Sequence, residues 1–251
     1  AQSFNTDDQR FLGRKHTNTH VINGIKKIKE VGINNINIDL MFSLKNETIT
    51  SIDTNIESAL KLNPTHLSYY ALTIEKNTSF NKKNILPLHS DQELIHYEYI
   101  KKKLKKNNFN QYEISAFSKK GFQCKHNLNY WQYNPYIGLG PSAHSFFNHR
   151  YYKNTSNLKS YLKNPIPNSQ KIKQTAQQTQ IENFLLCTLR LNRGFSKKQF
   201  ENRFGKPPIK VFENTLSTLK ENNLLTETKT HIKTTKKGHI LLDSILIEFM
   251  K

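Results

Sequence analysis

The chain is poor in cysteine, tryptophan, methionine and carboxylates. Its 251 residues hold 2 Cys, 1 Trp and 2 Met, and 19 Asp and Glu stand against 38 Lys and Arg. Cys124 and Cys187 lie far apart, which excludes a disulfide framework or a cysteine-rich metal site built from this chain alone. No run approaches the roughly 18 apolar residues that cross a bilayer. The first residues, Ala1-Gln-Ser-Phe-Asn-Thr-Asp-Asp8, are neither a signal peptide nor a basic presequence, so the expected setting is the cytoplasm. The chain opens without Met, directly into what reads as a strand end, and so reads as an amino-terminally incomplete piece. Arginine is scarce as well, at six of the 38 basic residues.

What is present is globular in character: 35% hydrophobic and 11% aromatic residues, enough for one large core or two domains. The net charge of +19 divides as +1 over residues 1–80, +10 over 81–170 and +8 over 171–251, so it forms no focused patch. Phosphate and base recognition favours the Arg fork. The Lys excess, accompanied by abundant Asn, therefore reads as a bias toward A+T-rich codons and places nucleic acid low among the expected partners.

Residues 17–31 place Val21, Ile25 and Ile28 at helical spacing, with Gly32 as the stop. Residues 36–42 alternate and then run apolar, as a buried parallel strand does, and carry one carboxylate, Asp39. A second helix spans 48–62, with Ile49, Ile52, Ile56, Ala59 and Leu60 on one face and Asn63-Pro64 at its end. A strand follows at 66–73. Helix, strand, helix, strand with short connections implies a parallel sheet or barrel, whose ligands gather at the carboxyl ends of the strands. A long helix is expected over 91–107, its exposed face bearing the Lys101–Lys106 run, and one more strand over 112–115. The polar connector 164–170 marks a boundary. Beyond it, helices at 181–191, 196–204 and 209–222 precede a wing at 224–228 and 231–235 and a last helix at 240–249 opened by Gly238, the grammar of a winged-helix module. The third helix offers mainly Glu213, Asn214, Thr218 and Glu221, which favours packing or regulation over reading DNA.

One stretch points to a ligand. His126-Asn-Leu-Asn-Tyr-Trp131, followed by Gly138-Leu-Gly-Pro-Ser-Ala-His144, packs two histidines and the single tryptophan into a short, loop-like segment. Aromatic planes beside imidazoles suit a flat, partly apolar cofactor; an ordinary aromatic core with capped turns is the alternative.

These stretches form an ordered series: Gln2-Ser-Phe-Asn5, Leu12-Gly-Arg-Lys-His16, Asn37-Ile-Asp-Leu40, Leu62-Asn-Pro64, Leu72-Thr-Ile-Glu75, Tyr112-Glu-Ile-Ser115, His126–Trp131 and Gly138–Ser145. Together they resemble the radical S-adenosyl-L-methionine (SAM) family of oxygen-independent coproporphyrinogen III oxidase-like proteins, in its heme chaperone HemW branch. The resemblance implies an α/β fold: the C-terminal part of a partial (β/α)6 radical SAM barrel over residues 1–115, an aromatic and Gly-rich segment with the heme motif and connector over 116–170, and a winged-helix-like α+β domain over 171–251. By motif match, Gln2 and Arg14 would contact the amino-acid part or sulfonium surroundings of SAM, and Asp39 would accept hydrogen bonds from its ribose or amine. Thr73 and His144 would neighbour the nucleoside. The His126–Trp131 block resembles the motif that separates the chaperones from the true oxidases. His126 would ligate the heme iron, and Asn127, Tyr130 and Trp131 would line the site.

The resemblance further implies heme transfer to apo-acceptors such as respiratory proteins, in the absence of coproporphyrinogen decarboxylation, and leaves a homodimer open. The family's [4Fe-4S] cluster is held by three cysteines upstream of the position of Gln2; those ligands are absent from this chain. The turn after Asp39 reads Ser43-Leu-Lys-Asn46 where the family has Gly-Leu-Pro-Gly, losing a φ-permissive glycine and a rigid proline. Two other readings stay open from residues alone: a coproporphyrinogen III dehydrogenase of porphyrin biosynthesis, and a winged-helix nucleic-acid-binding protein.

Overall fold

The computed structural model describes residues 1–86, 88–165 and 176–250; most of the expected connector at 164–170 lies outside them. The chain divides into two compact units, Ala1–Gln123 and Cys124–Lys251.

The first unit runs α1 (Thr6–Phe11), α2 (Asn18–Glu30), β1 (Asn37–Phe42), α3 (Ile49–Lys61), β2 (His66–Ala71), α4 (Ser79–Lys82), α5 (Ser90–Lys106), β3 (Asn110–Gln111) and β4 (Ala116–Ser118). Local chemistry starts the helices where the sequence places them. Thr17 and Thr48 each accept from the third backbone N–H of the helix that follows, and the side chains of His20 and Ser51 reach back to complete capping boxes. Val31 and then Gly32, at φ +87°, close α2.

β1 and β2 pair in parallel, from Asn37 opposite His66 to Phe42 opposite Ala71. Pleating then sorts the side chains. Ile38, Leu40 and Phe42 join Leu67 and Tyr69 in a core closed by Ile52, Ile56, Ile100 and Leu104. Asn37, Asp39, His66 and Ser68 share the opposite face. The residue before this face is also built in: Gln2 donates its N–H to Asp39 O (2.8 Å) and accepts from Met41 N (2.7 Å), a parallel bridge on the outer edge of β1.

The strand expected at 112–115 is a turn. Asn110–Gln111 and Ala116–Ser118 flank it as an antiparallel pair, and β4 runs antiparallel to β2, giving the order β1-β2-β4-β3. The Glu113 carboxylate accepts from Ser115 N (3.1 Å) and Tyr112 N donates to Ala116 O (3.1 Å), which bends the backbone that the apolar-polar pattern reads as extended. The sheet is therefore parallel on one side of β2 and antiparallel on the other.

The second unit continues with α6 (Lys125–Trp131), a hairpin of β5 (His144–Phe147) and β6 (Arg150–Lys153), α7 (Leu158–Lys163), α8 (Gln177–Thr188), β7 (Phe195–Ser196), α9 (Lys197–Phe204), α10 (Pro208–Val211), α11 (Glu213–Glu221), β8 (Leu225–Glu227), β9 (His231–Thr234), α12 (Lys236–Ile240) and α13 (Leu242–Met250). The winged-helix order holds, with one strand more than the expected two: β7 joins the wing in the order β7-β9-β8. The stretch around His126, expected as loop-like, is helical. The helix expected over 209–222 breaks at Phe212 (φ −131°, ψ 35°), whose ring meets Phe249 edge-on at 5.0 Å. Tertiary packing of that one ring overrides a continuous helical pattern.

Gly194 and Gly238 are among the glycines fixed by contact with backbone. A Cβ on Gly194, which sits at φ +66°, would lie 2.0 Å from Ile232 O, and one on Gly238 would lie 1.8 Å from Leu224 O. Gly238 can be no other residue without moving α12 off the wing. Gly238→Ala is expected to destabilise the second unit by about 3 kcal/mol, the upper end for an overpacked core. Urea unfolding followed by the fluorescence of Trp131, the single tryptophan, reads it, and an unchanged midpoint would show that the contact can be relieved.

Candidate functional site

In the first unit the polar face of the sheet is a connected network. His66 is buried, with Nδ1 2.7 Å from Asn37 Oδ1 and Nε2 2.8 Å from Tyr112 OH. Burial drives its pKa down to about 4, so the ring is neutral at pH 7. The partners assign the tautomer: Nδ1–H donates to the Asn37 carbonyl and Nε2 accepts from the phenol. Asn37 passes the order on, its amide donating to Asp39 Oδ1 at 2.7 Å. Asp39 is thus a half-exposed carboxylate oriented by its neighbours in mid-strand.

Gln2 lies beside Asp39 through the backbone bonds of its bridge to β1, and Arg14 is exposed just beyond α1. Thr73 is exposed, just beyond the carboxyl end of β2. His144 belongs to the second unit, exposed at the first position of β5.

The turn that departs from Gly-Leu-Pro-Gly keeps a glycine-like backbone. Ser43 has φ 64° and Asn46 φ 62°. Asparagine tolerates this region; the serine is held there by two carboxyl groups, its N–H donating to Glu47 Oε2 (2.8 Å) and its hydroxyl to Glu93. The Glu47 and His96 side chains are fully buried and 3.3 Å apart. Burial pushes the carboxyl up to about 8, against the pull of the Ser43 and Leu44 N–H groups, and lowers the imidazole. Both shifts favour the uncharged forms, so the contact is a neutral acid–imidazole pair and not an ion pair. Sequence reasoning missed it, because a single Glu and a single His 49 positions apart carry no mutual signal.

The second unit presents the His126 block on α6. His126 and Tyr130 lie one turn apart on one face, their rings edge to face at 4.9 Å, and Tyr130 meets Tyr136 the same way at 4.5 Å. His126 is exposed. Asn127 and Trp131 are likewise one turn apart, on the adjoining face. The Trp131 ring lies under the Arg190 guanidinium at 4.7 Å, a cation–π contact.

The chain then turns through Tyr133, buried at φ 57°, whose carbonyl accepts from Arg203 (2.7 Å) and whose ring packs on Phe146 and Phe184. Gln199 donates to Gln132 O at 3.1 Å. The motif helix is thereby tied to α8 and α9. Arg190, Arg203 and Tyr136 were not among the expected site residues; the rarity of arginine is the one signal that could have drawn attention to the first two.

An exposed imidazole continued by two tyrosine rings fits an iron porphyrin, which needs an axial nitrogen and aromatic or apolar edges. On the first unit, Asp39 offers an oriented acceptor suited to the hydroxyls or ammonium of SAM. The residues do not fit a [4Fe-4S] cluster: the only thiols are Cys124 and Cys187, and among the described residues no three His, Cys, Asp or Glu side chains are grouped to hold a metal.

Comparison with known proteins defines the class first. Over 99% of this chain the fold matches coproporphyrinogen III oxidase (HemN) from Escherichia coli, a radical SAM enzyme, with a TM-score of 0.78, 18% identity and 62% of that chain covered. Residues 176–241 match the HemN C-terminal domain family. The fold is thus the HemN-type radical SAM fold with its C-terminal domain. The relatives narrow the class. Heme chaperone HemW of Lactococcus lactis subsp. lactis (strain IL1403) is 32% identical over 256 residues, covering 100% of this chain and 67% of its own. The Bacillus subtilis (strain 168) protein of the same name is 31% identical over 257 residues, covering 100% and 68%. That of Haemophilus influenzae is 30% identical over 260 residues, covering 99% and 66%. The chain belongs to the HemW heme chaperone family and spans about two thirds of the length of these relatives.

The two buried titratable sites set opposite pH slopes. Glu47, neutral in the fold up to about pH 8 but ionised above 4.5 when unfolded, removes stability as pH rises from 4.5 to 8. His66, neutral in the fold down to about pH 4 but protonated below 6.5 when unfolded, removes stability as pH falls from 6.5 to 4. Above 6.5 only the Glu47 slope remains, and the first unit is expected to lose about 2 kcal/mol between pH 6.5 and 8. Urea titrations followed by circular dichroism at those two pH values test this. Glu47→Gln should flatten the difference, and an equal loss in the variant would assign it to other groups.

Proposed function

We propose that this protein binds heme through His126 and transfers it to apo-acceptor proteins. The observation that carries the reading is the exposed His126 imidazole at the head of the Tyr130 and Tyr136 rings, on a helix anchored by Trp131, Arg190 and Tyr133. Membership in a family of heme chaperones supports the same ligand.

In this reading an imidazole nitrogen of His126 would ligate the iron, with the ring of Tyr130 edge to face beside it. Asn127, Tyr130 and Trp131 line the site in this reading, and Trp131 also ties the helix to Arg190. Exposure suits transfer: one ligand on an open surface can be exchanged for the ligand of an acceptor, as an enclosed pocket would not permit. The acceptors are respiratory proteins, reached in the cytoplasm, and the carrier can act as a monomer or a homodimer.

Gln2, Arg14, Asp39 and Thr73, all of the first unit, form the SAM contacts of this reading. When bound, SAM supplies a nucleoside and an amino acid for these groups to grip: Asp39 accepts from hydroxyl or ammonium, Arg14 pairs with the carboxylate and Gln2 hydrogen-bonds beside them. The [4Fe-4S] cluster belongs to the full-length protein, and no step of the heme reading passes through it.

Hemin titrated into the protein is expected to give a saturable Soret band. His126→Ala should shift that band and weaken binding at least tenfold, about 1.4 kcal/mol. A spectrum and affinity identical to those of the unsubstituted chain would remove His126 from the iron.

A further inference from the structure

Gln199 and Arg203, one turn apart on α9, bond to the carbonyls of Gln132 and Tyr133 at 3.1 and 2.7 Å. Both also line an open cleft of about 550 Å³ between α9 and the turn of the β5–β6 hairpin, completed by His149, Ser196, Lys198 and Asn202. Half of these lining side chains are basic and none is acidic.

Each cation is set in place. His149 shares a two-residue hairpin turn with Asn148, at φ 59°, and its Nδ1 lies 3.1 Å from Gln180 Oε1. That partner assigns the N–H to Nδ1 and leaves Nε2 as the ring nitrogen for a ligand. Lys198 is exposed, one turn from Asn202. Arg203 is half-buried, with its guanidinium 4.9 Å from the centre of the Tyr133 ring, and burial draws its pKa down. A guanidinium withdrawn from water calls for a counter-charge. Among the described residues no carboxylate comes within ion-pair distance of Arg203 or Lys198. Lys197 shows the contrast, since it pairs with Glu227 at 2.9 Å. Glu201, the acid of α9 nearest in sequence, is exposed and does not line the cleft. A smaller cleft of about 280 Å³ shares Ser196 and Gln199 and adds Arg193 and His231, again without an acid. The basic excess that is diffuse along the sequence is thus unrelieved around the start of α9.

We infer that the larger cleft binds the phosphate group of a small molecule, held by Lys198, Arg203 and His149. The donor set suits phosphate: a guanidinium presents a planar fork of N–H groups, and an ammonium and an imidazole add donors for the remaining oxygens. An open cleft suits a ligand that exchanges freely. The inference is independent of the heme reading, because it needs neither His126 nor iron. It gives Arg203 two tasks. One guanidinium nitrogen keeps Tyr133 O while the others face the anion, so a bound phosphate acts on the residue that holds the end of α6. Trp131, the last residue of α6, is close enough in sequence to report it.

The test titrates inorganic phosphate into the full chain at constant ionic strength, balanced with chloride, and follows Trp131 fluorescence and the thermal melt. A saturable fluorescence change and a raised melting midpoint that chloride does not produce are expected. Lys198→Glu should fold like the parent by circular dichroism and weaken phosphate binding about tenfold. Lys210→Glu, an exposed substitution outside the cleft with the same change of charge, should leave binding as it is. A raised midpoint without a fluorescence change would keep the site and remove only its link to α6. Equal effects of phosphate and chloride overturn the site, and so does equal weakening by the two substitutions, which would assign binding to net charge. Lys198-dependent binding of a short DNA duplex with no effect of phosphate also overturns it, since the cleft would then belong to a nucleic-acid surface. None of these outcomes depends on whether hemin gives a His126-dependent band.

Discussion

Phe184 is the ring on which the C-terminal unit is assembled. It is completely buried on α8 and meets Phe195, Phe200 and Phe204 edge to face at 5.5 to 5.7 Å. Those three rings come from β7 and α9, so one side chain sets the first strand of the wing and the helix after it. The fourth partner, Tyr133 at 5.9 Å, belongs to the turn that ends the motif helix. Edge-to-face packing is directional as well as apolar. Fixing Phe184 therefore fixes where α6 ends, and with it the direction in which His126 is displayed. The winged helix of this chain thus has a structural task, as the support against which a short surface helix is held.

That support is needed because α6 has little stability of its own. It is seven residues long, and its N-cap, Cys124, makes no side-chain capping bond. A helix of two turns is marginal in water without tertiary contacts. Trp131 under Arg190, Tyr133 on Phe184 and the Gln199 and Arg203 bonds to the carbonyls of Gln132 and Tyr133 supply what the local sequence does not. The first unit shows the converse arrangement. There the strands pair over a well-sorted apolar face, and the polar face carries a network from Tyr112 through His66 and Asn37 to Asp39 that orients one carboxylate.

The same contrast decides what could be read from the sequence. Elements with their own local signals were legible: Thr17, Thr48 and Ser196 start helices where their side chains can cap them, and the alternation around Asp39 gives β1 and its parallel partner. Elements decided by distant partners were not. The turn at residues 112–115 depends on the Glu113 carboxylate bending back to Ser115, and the break at Phe212 depends on Phe249. The helical state of the His126 block depends on Arg190 and Phe184, more than fifty positions away. Residue types at the site were visible as motif residues, but their division into a face with His126 and Tyr130 and a face with Asn127 and Trp131 required the helix. The Ser43–Asn46 turn teaches the same lesson in reverse. Loss of glycine suggested a lost conformation, yet the backbone keeps it, because Glu47 and Glu93 hold Ser43 in the left-handed region.

The central claim is that an imidazole displayed by the winged-helix core is the iron ligand. Resonance Raman spectroscopy of the ferrous heme complex measures that bond without reference to any activity. The account predicts an iron–histidine stretching band in the unsubstituted protein that is absent from His126→Ala. The same band at the same frequency in both proteins would contradict it.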